Sequence, residues 1–212
     1  MPRADSPTRA KPRKQPRQAR SAATVHVILE AAARILESLG HQGFTTNAVA
    51  ARAGVSIGSL YQYFPSKDAL IGALIVQETS VLLADAAAAL AERSGREAVL
   101  ALIAAAVRHQ LGRPALARLL DFEEARLPLD PETQRVTQRL RALLAQMLVR
   151  PDLPPQEDAA VAAADVLAIV KGMIDAAGER GELDAAGLRQ RVARAVLGYL
   201  GADWPQDVAG AS

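Results

Sequence analysis

The sequence predicts an all-α fold of about nine helices, and three observations predict it. Of the 212 residues 45 are Ala, and Leu and Arg are also plentiful, so strong helix formers fill the chain. Only seven residues are aromatic (Phe44, Tyr61, Tyr63, Phe64, Phe122, Tyr199 and Trp204), which leaves an aliphatic core and few of the residues that favour strands. Apolar positions recur at spacings of three and four, in stretches separated by Gly and Pro.

Charge sets the N-terminus apart. Residues 1–24 hold Arg3, Arg9, Lys11, Arg13, Lys14, Arg17 and Arg20 against Asp5 alone, a net of +6, whereas the whole chain carries +2. The remainder is therefore mildly acidic. Like charges in a row repel and stay extended until they meet a polyanion, so residues 1–24 are expected to form a disordered basic arm. Pro2, Pro7, Pro12 and Pro16 forbid the amphipathic helix of an organelle transit peptide, and no apolar stretch there resembles the core of a secretory signal. A cytoplasmic address is the expectation.

After the arm, Ile28, Ala32, Ile35, Leu36 and Leu39 form one stripe of an amphipathic helix that Gly40 and Gly43 stop. A short helix over about residues 46–53 follows, then Gly54, then another over about 57–64 with Ser56 placed to cap it. Pro65 closes that unit. A long helix is expected over about 67–92, with Leu70, Leu74, Val81 and Ala84 among its apolar positions. Ser94 and Glu97 stand at a capping-box spacing, which starts a fifth helix near Arg96 that runs to Leu111. Gly112 and Pro114 break the chain, and a sixth helix runs to about Arg126. Asp130 and Pro131 start a seventh that ends at Leu148. The Pro-rich loop 151–155 leads to an Ala-rich eighth helix over about 157–178, and a ninth is expected over about 185–199.

The composition also excludes chemistry. Without Cys there is no disulfide framework, thiolate nucleophile or Cys-ligated metal, and three scattered His offer little to a metal. No Gly-rich phosphate loop, nucleophile elbow or metal-spaced His pair supports an enzyme, and nothing implies a cofactor. The longest uncharged apolar runs, such as 99–107, fall short of the roughly 18 residues a spanning helix needs, so no membrane partner is expected.

Two helices as short as 46–53 and 57–64 cannot bury themselves. They must cross tightly and pack on the first helix, with Ala50 small where the backbones meet, Gly54 in the left-handed turn, and Val49, Val55 and Leu60 inward. The second shows Ser59, Tyr61, Gln62 and Tyr63 to solvent: hydroxyls, an amide and rings, which suit phosphates and base edges in a major groove. The alternative is a plain helical hairpin; four of the seven aromatics within residues 44–64 favour the nucleic-acid reading.

Gly-Phe-Thr-Thr at 43–46, followed by Ala-Gly-Val-Ser-Ile-Gly-Ser-Leu-Tyr-Gln-Tyr-Phe-Pro-Ser-Lys-Asp-Ala-Leu at 53–70, resembles the DNA-binding domain of the tetracycline-repressor (TetR) family over about residues 25–72. The rest matches that family only in helix count and length. The resemblance implies a homodimeric transcriptional regulator, usually a repressor released from a palindromic operator by a small molecule. Its DNA contacts fall here on Thr46, Asn47, Ser56, Ile57, Gly58, Ser59, Tyr61, Gln62, Tyr63 and Lys67. Tyr61 and Lys67 most resemble phosphate clamps, while Asn47, Ile57, Gly58 and Gln62 suit base reading. Tyr63 stands where many members have His. Arg17 and Arg20 of the arm are placed to reach a flanking minor groove.

The expected domains are the arm over residues 1–24, a helix-turn-helix domain over 25–66, and a larger helical domain over 67–212 for effector binding and dimerisation. An apolar effector of unknown identity would lie among the fourth to eighth helices, bordered by His109, Asp121, Phe122, Glu123, Glu124 and Arg126. Ordinary core packing is the competing account of those helices, and a regulator with no effector, governed by a protein partner or its own concentration, is the alternative function. The dimer surface is expected on Ala163, Leu167 and Ile174 of the eighth helix and Leu188, Val192 and Val196 of the ninth. Packing inside one chain could satisfy the same stripes; the need for two half-sites favours the dimer.

Overall fold

A computed structural model describes residues 19–126 and 131–201, and every element among them is helical. The order is α1 (Ala19–Gly43), α2 (Thr46–Ala53), α3 (Ile57–Tyr63), α4 (Lys67–Ala89), α5 (Gly95–Gly112), α6 (Pro114–Arg126), α7 (Pro131–Leu148), α8 (Ala159–Glu179) and α9 (Ala185–Tyr199). The chain forms two compact units. One comprises residues 1–79 with 115–134, and the other comprises 80–114 with 135–212.

In the first unit Ile28, Ala32, Ile35 and Leu36 of α1 meet Val49 and Ala50 of α2, Leu60 of α3, and Phe44 and Phe64 between the helices. Leu70, Ile71, Leu74 and Ile75 from the start of α4, and Leu116 and Leu120 from α6, complete this core. That is why the division differs from a boundary at residue 66. Two short helices offer too little apolar area alone, and α4 and α6 supply the rest.

The N-terminal boundary differs as well. Residues 19–24, expected in the arm, belong to α1. The last arm proline is Pro16, and beyond it Ala19, Arg20, Ala22 and Ala23 are strong helix formers, so local propensity overrides the charge pattern. Gly40, with φ 62, breaks the helical course of α1 near its end, and Leu39 beside it is exposed rather than part of the stripe.

The second unit packs Ala86 and Ala89 of α4 with Val99, Leu102, Ile103 and Ala106 of α5, Leu140, Leu144 and Met147 of α7, and the inner faces of α8 and α9. The buried side chains gathered there are small and medium aliphatics, and Gln110 of α5 is buried as well. Asp152, in the loop after α7, accepts the backbone amides of Gly95 (2.8 Å) and Arg96 (2.9 Å), while Ser94 Oγ accepts that of Glu97 (3.1 Å). Three of the four free amides at the start of α5 are thereby satisfied. A window of α4 is long and apolar enough by composition to cross a membrane, contrary to the estimate from uncharged runs. Its apolar side chains Leu70, Ile71 and Leu74 are buried in the first core and Ala86 and Ala89 in the second.

Candidate nucleic-acid interface

The turn between α2 and α3 is built from local hydrogen bonds. Thr45 caps α2, its Oγ1 accepting the Ala48 amide at 3.1 Å. Gly54 ends α2 in the left-handed region with φ 67, and the next amide, of Val55, donates to Ala50 O at 3.1 Å. A residue with a Cβ would be strained there. Ser56 caps α3, accepting the Ser59 amide at 3.1 Å, and its hydroxyl also bonds that of Ser59 at 2.8 Å. With Val49, Ala50 and Leu60 buried, the pair has one outward face.

That face carries the residues read from the sequence. Asn47, Ser56, Ile57, Gly58, Tyr61 and Gln62 are exposed; Thr46, Ser59, Tyr63 and Lys67 are half-buried. The hydroxyls of Thr46 and Tyr61 share a hydrogen bond of 3.1 Å, which ties the first turn of α2 to α3. Tyr63 is held differently: its hydroxyl bonds Ser21 Oγ at 3.1 Å, so the end of α3 is fastened to the start of α1. Lys67 opens α4, with Nζ 5.4 Å from the centre of the Phe44 ring and 3.3 Å from the carbonyl oxygen of His41. A hydroxyl, amide and ammonium surface on a rigid helix pair offers donors to phosphates and matched donor–acceptor groups to base edges. Arg17 lies outside the described residues, and Arg20 falls in the first turn of α1.

The other expected sites are distributed differently. Ala163, Ile174, Leu188, Val192 and Val196 are not on a free surface: each is at most 4% exposed within a single chain, and Leu167 is half-buried. Period reports that a face is buried but not against what, and here α8 and α9 pack on each other and on α5. The outward residues of these helices include Val161, Ala168 and Gly172 on α8 and Tyr199 on α9, with Ala164, Ala195 and Gly198 half-buried. Arg191, Arg194, Ala195, Gly198 and Tyr199 line an open cleft on α9. His109 belongs to the second unit, and Asp121 and Phe122 to the first; Phe122 is 64% exposed. The sequence reading missed His41, whose ring lies between Glu123 and Lys67; those partners are separated from it by 82 and 26 positions, so no local pattern announces them.

The capped helix pair and its outward polar face define a helix-turn-helix DNA-binding module. A model of the tetR family of bacterial regulatory proteins matches residues 28–74, and a model of the tetracycline repressor-like C-terminal domain matches 95–200. The nucleoid occlusion factor SlmA of Sodalis glossinidius is 32% identical over 158 residues, covering 69% of this chain and 79% of its own length. SlmA of Pectobacterium carotovorum is 31% identical over 162 residues, with the same coverage. A TetR transcriptional regulator from Rhodococcus sp. RHA1 shares the fold with a TM-score of 0.65 at 25% identity, over 84% of this chain and 97% of its own. The chain belongs to the TetR family: it is a DNA-binding transcriptional regulator.

Proposed function

We propose that this regulator binds a palindromic operator as a homodimer and is governed by a protein partner or by its own concentration rather than by a small apolar effector. The observation that carries the DNA reading is the outward set Asn47, Ser56, Ile57, Gly58, Tyr61 and Gln62, held in register by caps at both ends of the turn. Gln62 and Asn47 read base edges, Ile57 touches a thymine methyl, and Tyr61 and Lys67 bind phosphate. Two copies pair through the outward faces of α8 and α9, which supplies the second half-site.

Two observations favour control without an effector. The described buried residues of the second unit, from Val99 and Ile103 to Val166 and Val192, pack on one another in a single aliphatic cluster. The relatives reported above are named for nucleoid occlusion, not for a response to a small molecule. Selection of duplexes from a random pool tests the DNA reading, and a two-fold symmetric consensus is expected. Challenge of that complex with a panel of lipophilic compounds tests the control. Retention of DNA throughout is the expected result, and dose-dependent release by one compound would restore the effector reading.

A further inference from the structure

Glu123 on α6 is 1% exposed, which places a carboxylate within the first unit where a charge must have a partner. Its Oε1 lies 2.6 Å from Nδ1 of His41. The same imidazole turns its other nitrogen, Nε2, toward Lys67 Nζ at 3.5 Å, and the His41 carbonyl oxygen takes that ammonium at 3.3 Å. Among the described residues, Glu123 from α6 and Lys67 from α4 are charged groups beside the ring. Three helices of one unit thus converge on the lysine that opens the helix after α3.

We infer that His41 and Glu123 are positioning residues for the phosphate contact of Lys67, an inference that rests on the DNA-binding role given to Lys67 above. With its proton on Nδ1, beside the carboxylate, the imidazole would present Nε2 as an acceptor; the group beside one ring nitrogen decides the state of the other. An ammonium has three N–H donors. His41 takes two of them, through Nε2 and its carbonyl, and the Phe44 ring flanks the charge. The third N–H remains for a phosphate oxygen. A lysine stem otherwise spends much rotamer freedom on each contact, and holding it in advance reduces that loss on binding. The register of α6 on α1 thereby reaches the DNA contact through one imidazole.

The test uses the full chain and the duplex selected from the random pool. Lys67→Ala is expected to weaken binding and to flatten the slope of log affinity against log salt by about 0.9 for each phosphate released. His41→Ala and Glu123→Gln should each reproduce most of that change, and neither should add to it in a Lys67→Ala background. Imidazole nitrogen NMR shifts should show His41 carrying its proton on Nδ1 in the parent and losing that preference in Glu123→Gln. Should Glu123→Gln not fold, His41→Ala carries the test, because the His41 side chain is 44% exposed. If Lys67→Ala has no effect, the phosphate contact falls and this inference with it. If Lys67→Ala acts but His41→Ala leaves the slope unchanged, adds fully to it, or His41 bears its proton on Nε2, only the inference is overturned.

Discussion

Single residues on the α2–α3 pair separate folding from binding. Gly58 is the informative one. A methyl group built on it meets nothing nearer than Ser56 Oγ at 3.9 Å, and the backbone there is ordinary helix. Gly58→Ala should therefore keep or raise the thermal midpoint, since Ala favours a helix over Gly by about 0.5–1 kcal/mol. The same methyl would stand in the groove, so affinity for the selected duplex should fall while the fold does not; unchanged affinity in a binding titration would remove Gly58 from the interface. Gly95 behaves in the opposite way. A Cβ there would lie 2.7 Å from Met147 O, which no rotation of a side chain relieves. The two glycines look alike in the sequence and differ only in what surrounds them.

Helix ends show what could be read along the chain. The bounds of α2 and α9 agree with expectation because their signals are local: Thr45 and Gly54 for one, Asp184 and Gly201 for the other. The start of α5 was half legible. Ser94 announced itself three residues before Glu97, but Asp152 reaches the Gly95 and Arg96 amides across 57 and 56 positions. Hydrogen bonds from the Arg96 and Gly95 amides hold the Asp152 carboxyl below the usual carboxylate range. A depressed folded-state value means that its stabilisation is complete above the ordinary carboxylate value and fades as pH falls through the folded one. Asp152→Asn should thus lower the thermal midpoint near neutral pH, and the gap to the parent should narrow as pH falls below the ordinary carboxylate range. A gap independent of pH would show that the charge of Asp152 is irrelevant to the cap.

At the scale of the whole molecule, periodicity located the helices and the two short helices about Gly54 located the helix-turn-helix, but neither could say which faces meet. The stripe at Leu188, Val192 and Val196 is the example: spacing showed that it is covered, and only the fold shows that α5 covers it. The dimer proposal moves accordingly to the outward side. Ala168→Glu, at an exposed position of α8, should give a folded monomer in sedimentation at micromolar concentration. Val196→Glu should instead unfold the chain, because Val196 is fully buried within it and a charge there has no partner. A dimer that survives Ala168→Glu would place the interface elsewhere.

The bond between Ser21 and Tyr63 bears on kinetics. It fixes the start of α1 against the end of α3, so Ser21 lies beside the helix proposed to enter the groove. Eighteen residues span at most about 65 Å, and Arg17 stands only two residues from the anchored helix. Once α3 is seated, any contact by these basic groups is an intramolecular second event at high effective concentration, which acts as a leash on a dissociating complex. Deletion of residues 2–18 should accordingly raise the dissociation rate most at low salt and leave the selected consensus unchanged. Equal dissociation rates for truncated and full-length protein across a salt series would mean that the leash holds nothing.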